Sequence, residues 1–383
     1  MCSDKNAQYS QGVGVKNMDR EYVIILGPAL SAISGISTHL NQMMGSILTR
    51  KFRLRHFQVG SEGRREKVLV KFIRYIGSPV SLGYTLATLK PGIVHINSSM
   101  NQKAFWRDAI YLFVAKILAR KIVYQIHGGK LPAMLFGGNR TLTSFLRWLL
   151  NLPDAIVLLA EVERHAYQTF CKLNKLFVIP NAIDYQQYET PSVKTFTARP
   201  LNLVYMGRLI QEKGISEAID SLHILSGWGI ENLTLSIAGS GPAEPELRER
   251  VCALDLDEKV RFVGPLFGAE KVRFWRQAHV FVFPTFFPEG LPYALLESFA
   301  SGTPVVTTDI GAIPDVMTNG VHGFWVAPHD ALAVADAIRT LVGNADLLLS
   351  MSQACLETAK EHYNIDRMAN DFDQLYERLL RQA

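Results

Sequence analysis

The stretch LNLVYMGRLIQEKGISEAIDSLHIL, residues 201–225, contains the pattern on which the fold prediction rests. The apolar run Leu201–Met206 is typical of a strand that is buried on both faces of a parallel sheet. A loop with two glycines follows, and apolar residues then recur at helical spacing over Ile215–Leu225. Because a strand, a short loop and a helix in this order form half of a parallel βαβ unit, the stretch predicts an α/β fold.

The same alternation of strand and helix recurs along the whole chain. The predicted strands of the first half are Tyr22–Leu26, Ile93–Asn97, Ile122–Ile126, Ala155–Leu159 and Leu176–Ile179. Those of the second half are Leu201–Met206, Leu233–Ala238, Val260–Val263, Val280–Phe283 and Pro304–Thr307. A chain of 383 residues is longer than a single hydrophobic core usually accommodates. We therefore predict two Rossmann-like domains that face each other across a cleft.

The domain boundaries follow from composition. Residues 1–20 are polar and lack an apolar run, so we interpret them as a disordered tail and not as a signal peptide. The first domain is predicted over residues 21–190 and the second over residues 200–364, because the stretch between them is polar and without periodicity. The last helix, within residues 365–383, has apolar positions at helical spacing and is expected to cross back to the first domain.

The net charge of +5 hides an asymmetry between the two halves. Residues 1–195 carry 25 lysines and arginines against 11 acidic residues, whereas residues 196–383 carry 15 against 24. The first half is therefore strongly basic and the second acidic, which indicates that the two domains face different partners.

A basic amphipathic segment lies in the first half. Lys67, Lys71 and Arg74 stand at positions i, i+4 and i+7, and Ile73 and Ile76 belong to an apolar set on the opposite side. Such a segment suits an anionic membrane surface; the alternative is a helix packed on the core with a solvated basic face. Nucleic acid is not predicted as a partner, because aromatic residues are not interleaved with the charges.

Cysteine use and hydropathy predict a cytoplasmic protein, and the basic segment adds the inner face of the plasma membrane as a site of peripheral attachment. The four cysteines, Cys2, Cys171, Cys252 and Cys355, lie far apart in the sequence and are interpreted as free thiols. The longest apolar stretch, Ala109–Ala119, contains Lys116 and is too short to cross a bilayer.

Two carboxylates form the strongest local signal, PEGLPYALLE over residues 288–297. Glu289 is predicted in a loop and Glu297 in the helix that follows. Eight residues of helix span about 12 Å, whereas glycosidase acid/base pairs stand roughly 5–9.5 Å apart. We therefore expect the two to contact different parts of one ligand; a loop glutamate and a helix-surface glutamate without function are the alternative.

Four further loops follow predicted strands. Gly207, Arg208, Lys213 and Gly214 combine an arginine fork and a lysine charge ahead of a helix, which favours an anion site over a merely solvated loop. The other three are weaker signals because short glycine loops are usually plain turns and a lone histidine is usually structural. They are Gly239-Ser-Gly241-Pro242, Ser34-Gly35 and His127-Gly128-Gly129.

Taken together, the order and spacing of these motifs resemble the retaining GT-B-fold glycosyltransferases of the Glu-x7-Glu type, a family that includes mannosyltransferases and the sucrose-phosphate and glycogen synthases. The resemblance covers roughly residues 22–380 and is strongest in the second half. It implies a nucleotide diphosphate sugar, with UDP or GDP, as donor and a glycan or lipid-linked molecule as acceptor. The product would be a cell-surface polysaccharide or a glycolipid.

The resemblance also implies roles for individual residues. Arg208 and Lys213 would hold the diphosphate, Glu289 would contact the transferred sugar, and His127 would approach that sugar from the other domain. The residues implied in donor binding are Gly35, Gly207, Gly239, Gly241, Val263, Gly264, Gly290, Leu291 and Glu297. Among these, Glu297 would bind the ribose hydroxyls.

No cofactor and no metal are predicted. The string Asp255-Leu256-Asp257 stands between a predicted helix and a predicted strand, and we interpret it as turn and capping chemistry.

Two departures from the family pattern are Ser34 before Gly35 and the loop Gly311-Ala312-Ile313-Pro314-Asp315. The alternative functions are a nucleotide-sugar epimerase, a sugar phosphorylase of the same architecture and a non-catalytic sugar-nucleotide-binding subunit.

Overall fold

The structure is a computed structural model that describes residues 20–60, 67–118, 120–189, 194, 196 and 200–382. The predicted tail lies outside the described residues except for Arg20, whose guanidinium donates to the backbone carbonyl of Thr49 at 3.0 Å. Most of the predicted interdomain stretch also lies outside them. Of the two described residues of that stretch, Phe196 is buried in the core of the second domain, and Lys194 is partly buried and donates to the Ala278 carbonyl of that domain at 2.6 Å.

The first domain is built on six parallel strands in the order β2-β1-β3-β4-β5-β6. The strands are β1 (Tyr22–Gly27), β2 (Arg53–Gln58), β3 (Ile93–Met100), β4 (Lys121–Gly129), β5 (Ala155–Leu158) and β6 (Leu176–Val178). The helices are α1 (Gly35–Gly45), α2 (Leu48–Lys51), α3 (Val68–Leu89), α4 (Gln102–Ile117), α5 (Arg140–Leu150), α6 (Glu161–Phe170) and α7 (Tyr185–Tyr188).

The second domain repeats this plan, with six parallel strands in the order β12-β11-β10-β7-β8-β9. The strands are β7 (Leu201–Met206), β8 (Leu233–Ala238), β9 (Val260–Gly264), β10 (Val280–Phe283), β11 (Val305–Thr307) and β12 (Gly323–Trp325). The helices up to the crossing point are α8 (Ile215–Gly227), α9 (Glu244–Ala253), α10 (Gly268–Arg276), α11 (Tyr293–Ala300), α12 (Ile313–Val316), α13 (Ala331–Val342) and α14 (Ala345–His362).

The predicted fold class is confirmed: both sheets are parallel, and inner strands such as β5 and β10 are apolar and buried at every position, whereas β3 and β4 also carry buried polar side chains such as Asn97 and Gln125. Strand β12 was not predicted from the sequence. It has three residues, begins with a glycine and, in the described sheet, is an edge strand that pairs with β11. A strand so short has too few positions to show a pattern.

The last helix, α15 (Ile365–Arg381), follows the second domain in the chain but packs on the first. Phe372 and Tyr376 are fully buried among residues of β1 and β3, including Val23 and Ile25. The Tyr376 hydroxyl lies 2.6 Å from Nδ1 of His95, and Asp373 forms an ion pair with Lys51. The helix therefore ties the end of the chain to the first sheet.

Candidate functional site

The ion pair between Lys213 and Glu289 joins two loops at the carboxyl ends of β7 and β10. Their side chains are only 15% and 9% exposed. The Thr285 hydroxyl donates to the same carboxylate at 3.2 Å, and the Lys213 ammonium stands 4.8 Å from the centre of the Phe287 ring. Because water is largely excluded, a charge on a bound ligand would interact strongly with this pair.

Backbone contacts set the position of the Lys213 loop. Its 3₁₀ turn, Gln211–Lys213, ends at Gly214, which has φ +72°. A Cβ on Gly214 would stand 2.1 Å from the carbonyl oxygen of Pro284, so only glycine fits. The backbone N–H groups of Phe286 and Phe287 both donate to the carbonyl of Glu212 at 2.9 Å. The loops that carry Lys213 and Glu289 are thus joined by their main chains.

The glycines after β8 have a packing role. Gly239 has φ +139°, and a Cβ there would stand 1.9 Å from the carbonyl oxygen of Gly207. A Cβ on Gly241 would stand 2.2 Å from the carbonyl oxygen of Leu209. These glycines therefore let the loop after β8 lie directly on the loop after β7, which explains them without a ligand.

Arg208 stands at the start of the β7 loop with an exposed side chain, and the Tyr205 hydroxyl donates to its carbonyl at 3.2 Å. Gly35 opens α1 in the first domain, where the Ser34 hydroxyl caps the helix. A Cβ on Gly35 would stand 3.4 Å from the Tyr293 ring, at the start of α11. The amino terminus of α1 therefore faces the second domain beside the loop that carries Glu289.

Glu297 lies on α11 and is 3% exposed. One carboxylate oxygen pairs with Lys271 and the other accepts from the indole N–H of Trp275 at 2.9 Å. Burial raises the pKa of the Tyr188 hydroxyl, and the nearby Glu297 charge raises it further. The two carboxylates of the Glu-x7-Glu motif thus have separate cations as partners.

Lys271 and Trp275 were missed as site residues in the sequence. Both belong to α10, four residues apart and hence on one helix face. That spacing was the available signal, but only the packing of α10 on α11 shows that the shared face meets Glu297.

The remaining predicted donor-binding residues lie at two places. Val263 and Gly264 end β9, where Gly264 has φ +74° and its carbonyl accepts from the Gly239 N–H at 2.9 Å. Gly290 and Leu291 follow Glu289, and the Leu291 carbonyl accepts from the buried Asn181 side chain at 2.9 Å. That bond links the second domain to the turn that ends the first.

His127 stands at the end of β4, followed by two glycines with positive φ. Its Nε2 lies 2.8 Å from Oδ1 of Asn97. Burial lowers the pKa of the His127 imidazole well below its usual value, and the neighbouring His39 and His95 lower it further. A Cβ on Gly128 would stand 3.1 Å from the Cα of Gly290, so the structure brings His127 beside the Glu289 loop.

The loop after β11 also supports Glu289. Gly311 has φ +66°, and a Cβ there would stand 2.2 Å from the carbonyl oxygen of Glu289. The Ala312 N–H donates to the same carbonyl at 3.0 Å, and Asp315 accepts from the Val162 N–H of the first domain at 2.9 Å. The segment that departs from the family pattern therefore holds the Glu289 loop and contacts the opposite domain.

Asp255 of the Asp-x-Asp string has φ +53° in the turn between α9 and β9. Within the described ranges, no three His, Cys, Asp or Glu side chains are grouped as metal ligands. The cysteines at 171, 252 and 355 are free, and Cys2 lies outside the described residues. No helix in the described part of the chain is long and apolar enough to cross a membrane.

Comparison with known proteins shows which family the second domain resembles. The family model described as "Glycosyl transferases group 1" matches residues 200–344. A glycogen synthase of Mycobacterium tuberculosis is 29% identical over 232 residues, which are 60% of this chain and 55% of the relative. A phosphatidyl-myo-inositol mannosyltransferase of Mycobacterium leprae is 30% identical over 201 residues, which are 52% of each chain. The chain therefore spans about half the length of these curated relatives.

Solved structures match over nearly the whole chain. The sucrose-phosphate synthase of Thermosynechococcus elongatus superposes with a TM-score of 0.77 over 95% of this chain and 100% of its own, at 15% identity. Anabaena Alr3699/HepE, solved with UDP-glucose, superposes with a TM-score of 0.73 over 94% of this chain and 100% of its own, at 16% identity. With its two facing parallel sheets, the chain has the GT-B fold, and residues 200–344 match the family model of the glycosyl transferases group 1.

Proposed function

We propose that this protein is a retaining glycosyltransferase that moves a sugar from a UDP- or GDP-sugar to a glycan or lipid-linked acceptor. The product would be a cell-surface polysaccharide or a glycolipid. The observation that carries the proposal is the shielded Lys213–Glu289 pair at the carboxyl ends of β7 and β10, beside His127 of the opposite domain. The relatives named as mannosyltransferase and glycogen synthase support the reaction class, and the UDP-glucose complex supports the donor class.

The chemistry follows from the charges. As the bond to the anomeric carbon breaks, negative charge builds on the departing diphosphate, where Arg208 and Lys213 stabilise it. One ammonium hydrogen of Lys213 is directed to Glu289, and its other donors remain for phosphate oxygens. Glu289 contacts the sugar, Glu297 the ribose, and the main chain at Gly35, Val263 and Gly264 completes the donor site.

The acceptor oxygen bonds to the anomeric carbon on the face that the leaving group vacates, and the proton of the acceptor hydroxyl passes to the departing phosphate. His127 is neutral, because burial and two neighbouring histidines hold its pKa low. A neutral histidine whose Nε2 is already engaged by Asn97 is suited to orient the sugar. The mechanism proposed for this chain therefore requires no separate general base and no metal ion.

The first test is a screen of nucleotide sugars for slow hydrolysis without acceptor, followed by transfer with the accepted donor. We expect transfer that persists in EDTA and a product of retained anomeric configuration by NMR. Loss of turnover in EDTA that Mg²⁺ or Mn²⁺ restores, or an inverted product, would contradict the mechanism. An epimerised sugar would instead support the epimerase alternative, dependence on inorganic phosphate the phosphorylase, and binding without turnover the non-catalytic subunit.

The acceptor side of the proposal rests on the outer helices of the first domain. Residues 67–150 contain twelve lysines and arginines and a single acidic residue, Asp108, which is buried against Arg107. The alternative reading of the basic segment places its apolar face against the core. Ile73 and Ile76 of that face, on α3, are instead 62% and 58% exposed. Further along the same helix, Val80 and Tyr84 continue the exposed apolar stripe, because all four recur at helical spacing.

Tryptophans on α4 and α5 are also exposed. Trp106 on α4 is 42% exposed and Trp148 on α5 is 50% exposed. Exposed apolar and aromatic side chains among cations are typical of proteins that lie on an anionic bilayer. We therefore propose that α3, α4 and α5 rest on the anionic inner face of the plasma membrane, where a lipid-linked acceptor would be within reach.

Liposome co-sedimentation tests this surface. Each lysine or arginine near an anionic membrane contributes about 1 kcal/mol, so the triple variant Lys67→Glu, Lys71→Glu, Arg74→Glu should bind at least about 100-fold more weakly than wild type. Binding should fall with salt and require anionic lipid. The matched control reverses three exposed cations elsewhere, Lys172, Arg273 and Lys360, and should bind like wild type. Equal, negligible sedimentation of wild type with anionic and neutral liposomes would contradict the proposal.

A further inference from the structure

A buried asparagine stands behind His127. Asn97 lies on β3, between β1 and β4, and is fully buried. Its amide nitrogen donates to the carbonyl oxygen of Leu26 on β1 at 3.1 Å, and its Oδ1 lies 2.8 Å from Nε2 of His127 on β4. One side chain thus links the neighbouring strands at the end of the sheet that faces the donor site.

These two contacts determine which nitrogen of His127 carries the proton. A carbonyl oxygen can only accept, so the amide NH₂ of Asn97 must face Leu26 and the amide oxygen must face His127. An amide oxygen also only accepts, so Nε2 of His127 must carry a hydrogen. In a neutral ring, Nδ1 then has the lone pair and is a hydrogen-bond acceptor.

The groups around the ring keep it neutral. The His39 ring of α1 packs edge-on against the His127 ring, with 4.8 Å between the two ring centres. His95 of β3 belongs to the same buried cluster. Burial lowers the pKa of both His39 and His95 to about 3, so neither supplies an anion or a permanent cation at neutral pH. From α15, Arg367 lowers the pKa of His39 further, while Phe372 contributes an apolar ring. The Gln125 side chain raises the pKa of His39 and His95, but burial outweighs it in both, so the cluster favours neutral rings and His127 can act as an acceptor at Nδ1.

We infer that Asn97 is a positioning residue that holds His127 as the neutral Nε2–H tautomer, so that Nδ1 accepts a hydrogen bond from a hydroxyl of the transferred sugar. The inference deepens the proposed function and rests on it for the identity of the ligand. The tautomer itself, however, is a property of the free protein. A site of this kind recognises a hydroxyl donor and leaves proton delivery to other groups.

The test is NMR of protein labelled with ¹⁵N-histidine, in which long-range ¹H–¹⁵N correlations distinguish the two tautomers and the imidazolium. His127→Gln assigns the His127 signals by their disappearance. We expect the wild-type protein to show the Nε2–H pattern at neutral pH. An Nδ1–H pattern or an imidazolium pattern for His127 in wild type would overturn the inference without any Asn97 variant and without any donor.

Two substitutions at Asn97 extend the test. Asn97→Leu removes the acceptor and should yield both tautomers. Asn97→Asp keeps an acceptor and adds a carboxylate beside the ring, so the His127 pKa should rise towards neutrality. Retention of the wild-type pattern in Asn97→Leu would overturn the inference; if that variant fails to fold, the wild-type spectrum and the Asn97→Asp titration decide.

Turnover separates this inference from the proposed function. With the donor that the hydrolysis screen identifies, Asn97→Asp should lower kcat/KM by roughly 2- to 13-fold, the range of one neutral hydrogen bond. Unchanged kcat/KM in a variant whose His127 is protonated would show that the acceptor is not needed. If no nucleotide sugar is turned over, the proposed function fails, while the tautomer measured by NMR still shows whether Asn97 positions His127.

Discussion

Replacing Arg208 or Lys213 with alanine should weaken binding of the nucleoside diphosphate by roughly 10- to 150-fold, the range that follows from a charge-assisted hydrogen bond worth about 1.5–3 kcal/mol. Arg208 is exposed at the carboxyl end of β7, and Lys213 is shielded beside Glu289. The loss in transfer rate should be larger than the loss in affinity, because these cations meet the charge that develops in the transition state. Isothermal titration calorimetry with UDP and with GDP measures the affinity.

The two variants differ in one respect. Arg208→Ala removes an exposed side chain, whereas Lys213→Ala also leaves the largely shielded Glu289 carboxylate without its cation. Breaking one partner of a buried ion pair is strongly destabilising, so Lys213→Ala should also lower the melting temperature. The double variant Lys213→Met, Glu289→Gln removes both charges and should recover the stability but not the affinity.

Lys259→Ala is the matched control, because Lys259 pairs with the more exposed Glu231 in the same domain. A pair of that kind contributes little to stability, and the variant should bind the nucleotides like wild type. Wild-type affinity in both Arg208→Ala and Lys213→Ala would remove these residues from the donor site.

Phe372→Ala should destabilise the first domain by about 3–5 kcal/mol, the usual cost of deleting a buried phenyl ring. Phe372 is fully buried on α15 and contacts the rings of His39, His95 and Tyr376. A loss of this size should lower the melting temperature of the first domain by roughly 10 °C. Differential scanning calorimetry measures it.

Gln374→Ala controls for that substitution, because Gln374 is exposed on the same helix. A change there should alter the transition only slightly. If Phe372→Ala and Gln374→Ala had the same melting temperature, the packing of Phe372 would not stabilise the first domain, and the prediction would be wrong.

The fold could be predicted from the sequence because its signal is local. Inner strands such as β5 and β10 are apolar at every position, and apolar residues recur with the helical period in the segments between strands. The prediction was weakest where the local signal was short, as at β12, or mixed, as along α3. There the basic residues predicted the helix, but the exposed stripe at Ile73, Ile76, Val80 and Tyr84 is evident only once its neighbours are in place.

The candidate site could be predicted in part, since loops at the carboxyl ends of parallel strands converge on one edge of a sheet. Most of the predicted residues lie at such an end or in the loop that follows it, as Lys213 after β7 and His127 near the end of β4 show, whereas Glu297 lies in the middle of α11. Their functional roles remain predictions. The close loop packing at Gly239 and Gly241 was beyond prediction, because a glycine that admits a neighbouring backbone looks the same in sequence as one that admits a phosphate.

The sequence by itself determined the α/β class, the two-domain plan and the loops that carry charge, because periodicity and strand ends are properties of neighbouring residues. Only the tertiary structure decided the pairings across long separations: Lys213 with Glu289, Lys271 with Glu297, Asn97 with His127, and α15 on the first sheet. Such pairs depend on how two sheets and their connecting segments pack in three dimensions. A side chain's type and its position along the chain do not specify which distant partner burial will bring to it.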